Sequence, residues 1–191
     1  MGDIVIRSLH KAFGEKAVLT GFSATIPAGK VTGIMAPSGG GKTTLLRILL
    51  GLERADSGEI LGLEGRKLSA VFQEDRLCEN LNPVSNIRLV NPLVTRADAL
   101  AALESVRLTD CAAQPVRELS GGMRRRVAIL RALLADWDVL FLDEPFKGLD
   151  EETKACVLEV TRERCCGRTT LLVTHDAAEA HALGASQILT L

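Results

Sequence analysis

The stretch A36-P-S-G-G-G-K-T-T44, directly behind the apolar run V31-T-G-I-M35, constrains this chain more than any other feature. The apolar run reads as a buried strand and the residues from Lys42 onward as a helix, so three glycines must make the connection. Glycines let backbone N–H groups converge where a Cβ would obstruct, and the helix start adds the positive end of its dipole. A bare backbone with one lysine and two hydroxyls suits a polyphosphate. Lys42 is then expected to reach the β- and γ-phosphates, and Thr43 to offer its hydroxyl to Mg2+. Ala36 stands where the usual G-x-x-x-x-G-K-[ST] pattern has its first glycine. That change is mild at negative φ and strained at positive φ.

A second run, V139-L-F-L-D-E-P145, delivers two adjacent carboxylates at the end of an apolar strand. Alternating pleat directions predict different jobs for them. Asp143 suits Mg2+ or its waters, and Glu144 suits polarising a water for attack on a γ-phosphate. His175 follows T169-T-L-L-V-T174, so it too emerges at the sheet edge where ligands gather in open α/β folds. A capping or packing histidine is the competing reading, weakened by the two sites above. His10 and His181 have no such context.

Strand-like runs at I4-V-I6, V31–M35, A70-V-F72, V139–L142, T169–T174 and I188-L-T-L191 alternate with helical patterns at 42–52, 96–108, 120–135, 151–165 and 176–183. Alternation of this kind predicts a mostly parallel sheet. The segment 74–135 carries no convincing strand and reads as a helical lobe inserted between sheet-core portions 1–73 and 136–191, the whole being a single domain. With 47% hydrophobic and 25% charged residues the chain is globular, and with only 3% aromatic residues its core must be aliphatic. The formal net charge of −1 gives no global basic field for nucleic acid or an anionic membrane. No apolar run approaches the roughly 20 residues of a membrane helix. Five cysteines without a C-x-x-C pair read as reduced thiols, and the chain as cytoplasmic.

L119-S-G-G-M123 opens the helical run R124-R-R-V-A-I-L-R-A-L-L134, and Ser120 with the N–H groups of Gly121 and Gly122 offers a second phosphate-binding surface. In this order, over essentially the whole chain, these motifs resemble the ATP-binding cassette (ABC) ATPases, transporter ATP-binding subunits above all. The resemblance implies an α/β P-loop NTPase fold, a mostly parallel sheet core with an antiparallel β portion and an inserted helical lobe. It implies ATP and Mg2+ as cofactors and ATP hydrolysis coupled to solute transport. Ser38, Gly39, Gly40, Gly41, Lys42, Thr43 and Thr44 would hold the phosphates, and Phe13 would stack on adenine unless it is a core phenylalanine. Gln73 would contact Mg2+ and the attacking water, Asp143 and Thr43 the metal, and Glu144 and His175 the reacting end. Ser120, Gly121, Gly122 and Asp150 would lie at an interface with a second copy, in a homodimer formed on ATP binding.

The same resemblance implies a separate membrane permease that docks near Gln73 to Asn86, and a location on the inner face of the cell membrane. V71-F-Q-E-D-R-L77 resembles that run in importer cassettes for nitrate, sulfonates or taurine, so a solute-binding protein is implied indirectly. Two departures stand out, Ala36 for glycine and Met123 for the usual signature glutamine, and neither removes a catalytic group. R124-R-R126 reads as a surface and interface feature rather than a nucleic-acid patch, because no aromatic residues interleave. A soluble ABC ATPase of DNA repair or translation would carry coiled-coil or zinc inserts absent here, and a nucleotide-binding module without turnover stays open.

Overall fold

The uninterrupted apolar runs lie at the centre of the molecule. In the computed structural model, which describes residues 2–37 and 39–191, strands β3 (Val31–Met35), β6 (Val139–Asp143) and β7 (Thr169–Val173) are flanked by β5 (Leu68–Val71) and β8 (Ala185–Thr190). All pairs are parallel and the order is β5-β6-β7-β3-β8. Every residue of β6 and β7 is buried, as expected of strands covered on both faces. The pleat divides them cleanly. Val139 and Phe141 join one apolar cluster with Ile34, while Leu140 and Leu142 join the other with Leu172.

Register decides where the functional loops emerge. Asp143 pairs with Val173 across β6 and β7, and Ile34 with Val173 across β3 and β7, so the three strands end level. The segments after Met35, Asp143 and Val173 therefore leave the sheet at one carboxyl edge. That is where ligands bind in open parallel sheets.

A second, antiparallel sheet of β1 (Ile4–Phe13), β2 (Lys16–Ile26) and β4 (Ser57–Leu61) has the order β2-β1-β4. Only β1 was visible from sequence, and then only its first three residues. In β2 the fully buried positions are Leu19 and Ile26 alone, and β4 has none, so neither shows the strict alternation that betrays a strand. Its buried face packs with α1 (Lys42–Leu49) on the Phe141 side of the parallel sheet. The 42–52 pattern stops early because Gly51 turns to φ 70.

The opposite face carries α4 (Gly121–Leu134), α5 (Glu151–Cys165) and α6 (Ala177–Ala182), with α2 (Pro83–Arg88) and α3 (Arg96–Ser105) packed beyond α4. Helix α2 went unnoticed in a stretch of turn formers. Asn82 caps it, accepting from Ser85 N at 2.8 Å, and Pro83 supplies its first turn. Thr95 and Asp98 form a reciprocal capping box that starts α3. Among the described residues no helix is long and apolar enough to cross a membrane.

Candidate phosphate-binding and metal site

The loop after β3 ends on Gly41, which caps α1 at φ 88, ψ 1. A Cβ there would stand 2.8 Å from Val18 O, so glycine is required both by conformation and by the close pass of β2. Ala36 is not among the residues at positive φ, so its substitution for glycine is the mild case. Lys42 is buried, and its Nζ donates to Ala36 O at 2.6 Å and Pro37 O at 3.3 Å. The ammonium thus lies against the carbonyls of its own loop. Ser38 lies outside the described residues.

Thr43 Oγ1 donates to Asp143 Oδ2 at 3.0 Å across 100 positions of sequence. Asp143 is 1% exposed, and its Oδ1 has no hydrogen-bond partner among the described residues. Burial pushes the carboxyl above its ordinary range, and the Thr43 hydrogen bond pulls the other way without cancelling it. A buried carboxylate oxygen with nothing to accept from is a place for a cation. Thr43, Gln73 and Asp143 line one small cavity of about 70 Å³, which puts the three expected metal-contacting residues together. The oxygens of these three side chains are hard donors of the kind that hold Mg2+ in phosphate sites, and Arg47 and Arg76 line the same cavity.

Glu144 departs from the expected pleat alternation. It leaves β6 at φ 48, a left-handed conformation rare outside glycine, while its N–H still donates to Val173 O at 2.9 Å. This turn, not alternation, separates its carboxylate from that of Asp143. Glu144 Oε2 lies 2.6 Å from His175 Nδ1, with the glutamate side chain 8% exposed and the histidine 66% exposed.

A cavity of about 460 Å³ gathers most of the expected nucleotide residues: Phe13, Gly39, Gly40, Gly41, Lys42, Thr43, Thr44, Gln73, Glu144 and His175. Phe13 is 50% exposed, with Lys11 Nζ 4.9 Å from its ring centroid, so it is no core residue. Lys16 and Lys147 also line this cavity and were missed, because an isolated lysine carries no spacing signal.

Gly121 and Gly122 line a second cavity of about 400 Å³, shared with Gln73, Glu144 and Lys147. Ser120 caps α4 by accepting from Met123 N at 3.3 Å, leaving the first N–H groups of the helix without intrahelical acceptors. Asp150 lines neither cavity. It caps α5, accepting from Thr153 N at 2.9 Å. Within the arginine triplet Arg125 is not the surface residue expected: it is 5% exposed, whereas Arg124 and Arg126 are half-buried, Arg124 pairing with Glu79 at 3.0 Å and Arg126 donating to Val106 O at 2.8 Å.

Comparison with known proteins agrees with this geometry. A family model described as ABC transporter matches residues 19–147. The aliphatic sulfonates import ATP-binding protein SsuB 1 of Nocardia farcinica is 41% identical over 181 residues, spanning 93% of this chain and 73% of that protein. SsuB of Pseudomonas fluorescens is 38% identical over 194 residues, 97% of this chain and 72% of the relative. The sulfate/thiosulfate import ATP-binding protein CysA of Burkholderia mallei is 37% identical over 198 residues, 93% of this chain and 56% of the relative. Among solved structures, a bacterial Atm1-family ABC exporter with ATP bound superposes with a TM-score of 0.88 at 25% identity, covering 100% of this chain and 37% of the exporter chain.

Proposed function

The chain belongs to the ABC transporter ATP-binding family, and from that premise we propose how its two cavities bind and hydrolyse ATP to power the import of a small anionic solute. It is an ATP-binding, ATP-hydrolysing transport subunit. The observation that carries the site assignment is the Thr43–Asp143 contact, with an unpartnered carboxylate oxygen beside the phosphate loop. Gly39, Gly40 and Gly41 present the backbone to the phosphates, and Lys42 exchanges its two loop carbonyls for phosphate oxygens. Phe13 stacks on the adenine. Thr43, Asp143 and Gln73 hold Mg2+, which when bound neutralises charge on the phosphate oxygens.

Glu144 accepts a hydrogen bond from the attacking water and takes its proton as the water oxygen bonds to the γ-phosphorus and the bond to the ADP oxygen breaks. His175 holds the Glu144 carboxylate from its far oxygen. Ser120, Gly121 and Gly122 of one copy cover the nucleotide held by another, giving a homodimer on ATP binding with an isologous interface. In this reading segment 74–135 acts as the helical lobe that receives a separate permease. The chain then works on the inner face of the cell membrane, with a solute-binding protein acting upstream. The sulfonate and sulfate import named for the relatives supports a small anionic oxyacid as cargo.

Glu144→Gln tests the assignment. It keeps ATP binding, lowers turnover by roughly 100-fold or more, and accumulates a dimer on size-exclusion chromatography with Mg-ATP. Turnover at the wild-type rate in that variant would remove Glu144 from the chemistry.

A further inference from the structure

The deepest charged side chain outside the phosphate loop and the carboxylate pair belongs to the middle residue of the arginine triplet. Arg125 lies one turn into α4, is 5% exposed, and points into the gap between the ends of β5 and β6. Its Nε donates to Pro145 O at 2.7 Å, and Nη2 to Asp143 O at 3.0 Å and Glu144 O at 2.7 Å. Nη1 donates to Phe72 O at 2.5 Å and Gln73 O at 3.3 Å, and pairs with Asp75 Oδ1 at 3.2 Å. Three successive carbonyls, from 143 to 145, thus converge on one guanidinium.

Carbonyl dipoles aimed at one point repel each other. They gather here because Glu144 takes φ 48 while its N–H stays in the β6–β7 ladder, which turns the following peptides toward α4. An L residue holds that conformation only when its surroundings fix it. The guanidinium does so, because its planar fork can satisfy carbonyls on both sides at once, and a lysine ammonium has neither the reach nor the donors.

We propose that Arg125 is a positioning residue that holds Glu144 and Gln73 in their reactive places and ties both to the start of the signature helix. This rests on the reading of Glu144 as the water-activating group. Arg125 itself lines the cavity of Gly121 and Gly122, so a phosphate gripped there acts on the same helix turn that fixes the Glu144 backbone. The arginine touches no atom that reacts.

The test compares Arg125→Gln, Arg125→Lys, Arg131→Gln and Glu144→Gln by steady-state ATP hydrolysis, fluorescent-nucleotide binding and thermal unfolding. Arg131 serves as the control because it braces the same loop, at Arg76 O and Asp75 O, and reaches none of residues 143–145. In Arg125→Gln and Arg125→Lys alike, kcat falls on the order of 100-fold, with KM and nucleotide affinity within about threefold of wild type. Arg131→Gln keeps kcat within about twofold. Recovery of wild-type kcat in Arg125→Lys, an equal loss in Arg131→Gln, or failure of both Arg125 variants to fold would each overturn the proposal. Full turnover in Glu144→Gln would instead sink the underlying assignment, which separates the two failures.

Discussion

Lys154→Met removes one partner of a buried ion pair. Lys154, on α5, places its Nζ 2.8 Å from Glu179 Oε1 and 3.2 Å from Asp176 Oδ2, both in the segment that follows His175. The Glu179 side chain is 7% exposed and also accepts from Thr174 Oγ1 at 2.6 Å. Removing the ammonium leaves a buried carboxylate with one hydroxyl donor. Breaking a buried pair in this way costs about 3–5 kcal/mol, and the 18% exposure of Lys154 places this case near the low end, about 3 kcal/mol. For a domain of this size each kcal/mol moves Tm by about 2–4 °C, so Lys154→Met should melt about 6–12 °C lower. The double variant Lys154→Met/Glu179→Gln keeps an acceptor for Thr174 and removes the orphaned charge, and should return to within about 1 kcal/mol of wild type.

The assay is thermal unfolding of the four proteins of the cycle at neutral pH without nucleotide. The pH dependence has a fixed sign. The Glu179 hydrogen bond holds the Lys154 amine above its ordinary 10.5, so this contribution is complete below pH 10.5 and fades only as pH rises through the higher folded value. Asp176 is held below its ordinary 3.8, first by the Ala178 N–H and then by Lys154, so its contribution is present above that value and lost in stronger acid. A Lys154→Met protein that melts with wild type, or a double variant less stable than the single, would refute the reasoning.

Gly41→Ala forces a side chain into φ 88 and a Cβ to 2.8 Å from Val18 O, so ATP affinity measured by isothermal titration should fall more than about tenfold. Unchanged affinity would mean that the loop does not cradle phosphate in this shape. Phe13→Ala should raise KM for ATP by about three- to tenfold and leave kcat and Tm near wild type, because the ring is half exposed. Burial lifts the Cys165 thiol to about 11, so at pH 8 only about a thousandth of it is thiolate. Brief maleimide treatment followed by mass spectrometry should therefore mark exposed Cys78 and Cys166 and spare Cys165 and buried Cys111.

What was legible in the sequence is what the parallel sheet writes most strongly. Continuous apolar runs flag strands buried on both faces, and the glycines, carboxylates and histidine at their ends share one edge because the register is level. The antiparallel portion was expected from the family resemblance alone, because the residues of β2 are mostly exposed or half-buried, those of β4 almost all exposed, and Gly21 interrupts the pattern of β2. Glu144 could not be read correctly from alternation, because its direction comes from a left-handed turn held by a side chain nineteen positions away in sequence. Arg125 was misread for the same reason. A run of three arginines resembles a solvated face, and only the tertiary fold shows which of them meets a ring of carbonyls.

The two cavities share a wall made of Gln73, Glu144 and Lys147. On one side of it stand Gly39 to Thr44 of the phosphate loop, and on the other the N–H groups at the start of α4. A polyphosphate reaching both within one chain would have to cross this wall, where the Glu144 carboxylate repels it and the Lys147 ammonium attracts it. In the proposed function this wall separates the two phosphate-facing surfaces of one chain, and the start of α4 serves a nucleotide held by a second copy. On the proposed function, dimerisation and hydrolysis share one arrangement: Glu144, the residue proposed to activate water, stands in the wall between the two cavities.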